Sequence, residues 1–353
     1  MSAAAFEPAI ADAARLERWL DANGLPGAGL PLEVRFVSGG ASNEIFELRR
    51  GDYRIALRRP PPELPAGRNE TMLREYRVLA ALADSDVPHP RVLGACDDPA
   101  VMDGAWFYVM EYVDGWSPMQ LQQSGSPSWP APFDTDLAAR RGLAFELVGG
   151  IAKLARVDWR AAGLADFGKP DGFLTRQVDR WLAHLERIRF RELPGLDTAA
   201  AWLRAHTPAS FTPGILHGDY QFANVMFRHG APARLAAIVD WEMSTVGDPL
   251  LDLGWVLMTW PDPGETRSAS YVDYSGMPTR AELVDYYARE TFLPVDRLDY
   301  YVVLARFKMA CVLEAGYARH VAGKADNPKM AGFGAVVLDM ARRAAELAES
   351  SDL

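Results

Sequence analysis

The sequence predicts an α+β chain, mainly β in its first third and mainly helical beyond it. Three observations carry this. Short β-branched and aliphatic runs separated by tight turns crowd residues 34–110. Apolar residues at helical spacing dominate from Leu137 onwards. Within 215–255 the helical pattern gives way to ILHGDYQFANVMF, a turn and LAAIVDWE, which gather His217, Asp219, Asn224 and Asp240 in one short span.

Taken in order, Phe6, Ile10, Ala13, Leu16, Trp19 and Leu20 share a helical stripe over 4–22, an amphipathic helix expected to pack on the smaller part. Strands are expected at 34–37, 45–48 and 53–58, joined by the small-residue turn 38–43 and by Gly51-Asp52. A proline-rich loop, 60–67, leads to a helix over 69–83, where Met72, Tyr76, Leu79, Ala80 and Leu82 keep helical spacing. Two more strands follow at 91–93 and 107–110. The stretch 116–136, rich in Ser, Pro and Gln, reads as a loop over a cleft or a lid. Trp116, Trp129 and Phe133 there suit an apolar part of a substrate. Helices are expected at 137–157, 173–190, 199–206, 280–289, 296–317 and 333–347, with a polar loop over 261–278.

With 353 residues the chain is long enough for two lobes, 1–113 and 114–353. Its 47 acidic residues against 37 basic ones set a formal net charge of −10, which disfavours nonspecific nucleic-acid binding. Cys96 and Cys311 are far apart in apolar surroundings, which reads as buried free thiols in a reducing cytoplasm. No apolar run reaches the length of a membrane span, and no obligate protein partner is indicated.

The chemistry concentrates in 215–255. A run at 225–227 and another at 235–239, separated by a turn at His229-Gly230, form a hairpin that brings Asn224 and Asp240 near one another, with Asp219 just before it. Asp219 and Asn224 stand five positions apart, the offset between base and metal-binding amide in kinase catalytic loops. Asp219 then accepts the proton of an acceptor hydroxyl. Asn224 and Asp240 supply the oxygen ligands that Mg²⁺ prefers. His217 reads as a structural residue bonding the backbone around Asp240, and Glu242 as an aid to metal or substrate. Asp248 caps a helix that begins with Pro249, and Asp252 braces the loop.

H-G-D-x-x-x-x-N followed by I-V-D-W-E resembles the aminoglycoside phosphotransferase-like (APH/choline kinase-type) family. G-G-A-S-N, A-L-R-R-P-P, R-E-Y-R-V-L-A-A-L and F-Y-V-M-E-Y-V-D-G are similar to the branch related to the phosphotransferase domain of certain acyl-CoA dehydrogenases. The resemblance implies a bilobal protein-kinase-like fold, ATP and Mg²⁺ as cofactors, and a small-molecule hydroxyl acceptor. Gly40, Ser42 and Asn43 become the phosphate-covering loop. Ala56 floors the adenine pocket, and Arg58 takes the place of the kinase strand lysine, an exchange that alters shape while keeping charge. Arg59, on the opposite face, is the second choice. Glu75 pairs with Arg58, with Glu70 as the alternative. The Glu111 carbonyl and the Val113 N–H bind the adenine edge, with Met110 behind it. Arg306, Lys308 or Arg319 could meet an anionic substrate, or serve as ion-paired helix charges. Departure from lysine at Arg58 keeps open a nucleotide-binding pseudokinase or regulatory module. A metal-dependent hydrolase built on His217, Asp219 and Asp240 is a third reading. Aminoglycosides would ask for a cluster of acidic side chains, which the sequence does not single out. A hydroxyacyl compound or another metabolic alcohol is the alternative acceptor.

Overall fold

The computed structural model describes residues 10, 12–39, 43–61, 67–123, 129–261, 272–324 and 328–353. The chain divides into two compact units. Met1–Ser85, His89–Asp114 and Val239–Glu242 form the first, and Asp86–Pro88, Gly115–Ile238 and Met243–Leu353 the second.

In the first unit, helix α1 (Ala13–Ala22) is capped by Asp12, whose carboxylate accepts the Arg15 N–H. Then come β1 (Glu33–Gly39), β2 (Glu44–Arg50), β3 (Tyr53–Arg59), α2 (Arg68–Ala81), β4 (Val92–Cys96) and β5 (Phe107–Glu111). The strands form one sheet in the order β1-β2-β3-β5-β4, antiparallel throughout. Alternation along β3 separates two faces. Ile55 and Leu57 lie opposite Leu48 and Phe46 of β2, and Leu57 opposite Val109 of β5. Leu16 and Leu20 of α1 close over this apolar face, and Trp19 meets the Phe107 ring edge-on at 4.9 Å. Each such buried side chain contributes about 1.5–3 kcal/mol. The other face carries Ala56 and Arg58, directly opposite Met110 and Tyr108.

The second unit begins with α3 (Pro118–Gln123), α4 (Leu137–Arg156), α5 (Gln177–Glu186) and α6 (Leu196–Ala205). Two small antiparallel pairs follow: β6 (Gly214–Leu216) with β9 (Thr245–Gly247), enclosing β7 (Val225–Phe227) with β8 (Leu235–Ile238). Helices α7 (Leu250–Thr259), α8 (Arg280–Thr291), α9 (Leu298–Val321) and α10 (Phe333–Ser350) complete it. Helix α9 packs against both α7 and α10, and α4 against α8. A capping box between Thr279 and Glu282 starts α8. Among the described residues no helix is long and apolar enough to cross a membrane.

Three segments differ from the sequence reading. Trp116, Trp129 and Phe133 are core residues and not the walls of a lid. They are buried, in edge-on or tilted ring contact with Phe222, Phe227 and each other. Trp116 exchanges backbone hydrogen bonds with Phe227, which pins this irregular stretch to β7. Residues 124–128 lie outside the described residues. The helix expected over 173–190 is only α5. Phe173 instead sits in a turn, with its ring where a Cβ on Gly247 would fall, 2.7 Å away. The β6–β9 pair has three residues on each side, too few for any periodicity to show.

Candidate functional site

The first unit gathers one cluster around Arg58, the penultimate residue of β3. Its Nε lies 2.9 Å from Glu75 Oε2. Its Nη2 donates to Glu75 Oε1 at 3.3 Å and to Asp240 Oδ1 at 2.7 Å. Tyr108, its partner across β5, donates its hydroxyl to Glu75 Oε2 at 3.0 Å. Arg58 and Glu75 are buried. Burial pushes the Glu75 carboxyl up to about 7, against the pull of the Arg58 charge. Burial alone would depress Arg58, but the Glu75 and Asp240 carboxylates outweigh it and keep the guanidinium cationic. Glu75, not the exposed Glu70, is thus the helix carboxylate that meets the strand arginine. Arg59 is engaged on the other face, 2.9 Å from Glu44 and above the Phe46 ring.

Those of the remaining expected nucleotide residues that are described belong to the same unit. Ala56 and Met110 face each other across the strands and are buried. Glu111 ends β5 with an exposed side chain, and its N–H donates to Arg91 O. The Val113 N–H has no hydrogen-bond partner among the described residues. Gly40 and Ser42 lie outside the described residues. Asn43 is buried, its Nδ2 3.5 Å from Glu242 Oε2, an oxygen that also accepts Arg68 Nη1 at 3.1 Å. Asp240 holds a left-handed φ of +67°, a conformation Asp tolerates better than most residues.

The second unit builds the loop that carries Asp219. Strand β6 ends at Leu216, and the next two peptides are clamped from α7. Asp252 Oδ2 accepts the His217 N–H at 2.6 Å and Oδ1 the Gly218 N–H at 2.8 Å. Burial pushes the Asp252 carboxyl up to about 6, opposed by those two bonds. Gly218 has φ +84°, and a Cβ there would meet Met243 O at 2.5 Å, so the turn requires glycine. Lys308 of α9, buried 5.1 Å from the Trp255 ring centroid, donates its ammonium to the Gly218 carbonyl. Burial lowers Lys308 to about 8, against the pull of Asp219 and Asp252.

Asp219 itself is half-buried. Gln221 Nε2 donates to its Oδ1 at 3.0 Å and Asn224 Nδ2 to its Oδ2 at 2.9 Å. Asn224 Nδ2 also donates to Asp219 O at 2.7 Å. Both contacts are acceptors, so the amide nitrogen must face Asp219 and the amide oxygen must face away. His217 is buried, and its Nδ1 accepts the Asp219 N–H at 3.4 Å, which ties the ring to the loop backbone.

A model of the phosphotransferase enzyme family (APH) matches residues 33–286. The chain belongs to that family. Acyl-CoA dehydrogenase family member 11 of Gallus gallus is 32% identical over 356 residues, covering 96% of this chain and 44% of the relative. The chain therefore spans less than half the length of that relative. A crystal structure from Ralstonia eutropha, assigned to the aminoglycoside phosphotransferases, matches with a TM-score of 0.80 and 31% identity, covering 97% of this chain and 99% of the other. A thermostable mutant of the aminoglycoside phosphotransferase APH(4)-Ia, in ternary complex with ADP and hygromycin B, matches with a TM-score of 0.60 at 13% identity, over 95% and 99% of the two chains. This second match shows a shared fold. The chain thus shares the kinase-like fold of that family, with a mainly β N-terminal part and a helical C-terminal part.

The donor types suit a hard cation such as Mg²⁺. Among the described residues no group of three or more His, Cys, Asp or Glu could hold a metal on its own. Taken singly, the Asn224 amide oxygen of the second unit and the Asp240 carboxylate of the first are both hard oxygen donors, the kind that Mg²⁺ prefers.

Three contributors, Tyr108, Gln221 and Arg68, are not singled out by the sequence. Tyr108 was within reach, since it stands opposite Arg58 once the strand register is known. Gln221 lies inside the motif at an unassigned position. Arg68 carries no local signal. Lys308, a candidate substrate contact by sequence, is instead buried with Arg306 against backbone carbonyls, whereas Arg319 is exposed.

Proposed function

We propose that the chain transfers the γ-phosphoryl group of ATP to a hydroxyl of a small molecule with the help of Mg²⁺. The observation that carries this reading is the Asp219 carboxylate, held by Gln221 and Asn224 on a loop whose backbone is itself clamped by Asp252 and Lys308. A carboxylate fixed in this way is suited to orient a hydroxyl and take its proton as the new O–P bond forms and ADP leaves. Asn224 and Asp240 would hold the metal, which when bound neutralises charge on the phosphates. Arg58, fixed by Glu75, would meet the phosphates, with Gly40, Ser42 and Asn43 as their covering loop. Ala56 and Met110 would line the adenine pocket. The Val113 N–H and Glu111 carbonyl would read the adenine edge. Residues 1–113 would bind nucleotide and 114–353 present the acceptor. Catalysis is then mostly positioning and charge stabilisation.

For the acceptor we favour a hydroxyacyl compound over an aminoglycoside. The support is the likeness to proteins named acyl-CoA dehydrogenases along nearly the whole chain. The buried free thiols Cys96 and Cys311 suit a reducing, cytoplasmic setting.

The test is ADP formation from ATP and Mg²⁺ across aminoglycosides, choline-like amines, sugars and hydroxyacyl thioesters. One acceptor class should stimulate ADP release. Asp219→Asn should lower that rate by about 10²–10⁴-fold and leave ATP affinity unchanged. ATP binding with no stimulation by any acceptor would favour a nucleotide-binding regulatory module. Efficient phosphorylation of aminoglycosides would overturn the acceptor assignment.

A further inference from the structure

We propose that Arg68 is a second phosphate-binding cation of the nucleotide site, parked on Glu242 until a nucleotide arrives. The inference rests on the ATP reading above.

Arg68 opens α2 and points its Nη1 at Glu242 Oε2, 3.1 Å away. Asn43, at the end of the turn expected to cover the phosphates, reaches the same oxygen at 3.5 Å. Glu242 stands two residues after Asp240, whose Oδ1 accepts from Arg58 at 2.7 Å. One short acidic segment thus engages both arginines and the end of the phosphate turn.

Charge explains why a second cation is needed. Arg58 already faces two carboxylates, Glu75 and Asp240, which offset much of its charge toward a polyanion. With Arg68 and Glu242 included, the ion pairs among the described residues join two guanidinium groups to three carboxylates. A triphosphate in this setting needs the metal and a cation that can leave its present partner. Arg68 meets that need. Among the described residues it pairs with one carboxylate, and the side chains are 28% and 24% exposed, so solvent weakens the pair. A guanidinium fork also matches phosphate oxygens at least as well as a single carboxylate oxygen. The Arg68–Glu242 bond therefore breaks in favour of Arg68–phosphate, and Glu242 is released beside Asp240.

The test is isothermal titration calorimetry with ATP, ADP and AMP in Mg²⁺, on the wild type, Arg68→Met and Arg68→Lys. The methionine variant should bind ATP about tenfold or more weakly, since it loses a charge-assisted phosphate contact, and should bind AMP as the wild type does. The lysine variant should recover part of the ATP affinity. Arg68→Gln replaces the methionine variant if that one does not fold. Wild-type ATP affinity in the charge-removing variant would overturn the proposal and leave the ATP reading intact. Equal weakening of ATP and AMP would also overturn it, because Arg68 would then act through the fold. If the wild type binds none of the three nucleotides, both readings fall.

Discussion

Two neighbouring arginines on β3 have opposite employment. Arg59 lies on the apolar face, its charge paired with Glu44 on the adjacent strand and its plane over Phe46. Arg58 lies on the other face, where a helix, a strand and the segment after β8 bring it Glu75, Tyr108 and Asp240. The first pair is a local rim to a hydrophobic layer. The second is assembled from residues up to 182 positions apart. The face of a strand follows from alternation, but the use of that face depends on what the chain folds over it. A side chain whose partners come from several elements is a better candidate for function than an equally buried one whose partner is next door.

The sharpest way to break this comparison is to remove each face in turn. Arg58→Met leaves Glu75 buried without its cation, and should cost about 3–5 kcal/mol of stability together with most of the ATP affinity. Leu57→Ala opens a cavity under α1 and should cost about 2–5 kcal/mol while sparing ATP affinity in the folded fraction. Chemical denaturation with parallel nucleotide titration separates the two. Equal loss of ATP affinity in both variants would erase the distinction between the faces.

A pH experiment sharpens it further. The Glu75 carboxyl sits at about 7 in the folded chain, above its ordinary 4.5. Between those values the folded state holds a proton that the unfolded state has lost. The contribution of this group to stability is therefore greatest at low pH, falls as pH rises from about 4.5 to 7, and is level above that. Unfolding measured without Mg²⁺ across this window should show a downward slope in the wild type that Glu75→Gln lacks. Identical slopes would mean that Arg58 holds Glu75 ionised throughout.

The smallest effect belongs to Tyr108→Phe. It deletes one hydroxyl hydrogen bond to a carboxylate, and should cost about 1.5–3 kcal/mol at most and shift ATP affinity only slightly. Thermal unfolding and the same nucleotide titration check both parts.

Much of this arrangement was legible in the chain. The strand carrying Arg58, the helix carrying Glu75 and the β7–β8 hairpin after Asn224 all announced themselves by spacing, and the ion pair between Arg58 and Glu75 is present. The residues that escaped share one property, dependence on distant partners. Trp116, Trp129 and Phe133 sit in a segment whose local composition suggests a loop, yet their rings are buried among those of Phe222 and Phe227. Lys308 is an ordinary helix lysine until α9 brings it against the Gly218 carbonyl.

By itself the sequence determined the α+β class, the order of most elements and the five-residue offset of Asp219 and Asn224, because periodicity, turn residues and motif spacing are local properties of the chain. Only the tertiary structure decided that Gly218 must be glycine, that Asp252 and Lys308 grip its peptide from two helices, and that Arg68 shares the Glu242 carboxylate with Asn43. These depend on steric clash and hydrogen bonding between groups brought close by packing, and such contacts leave no period in the sequence to read.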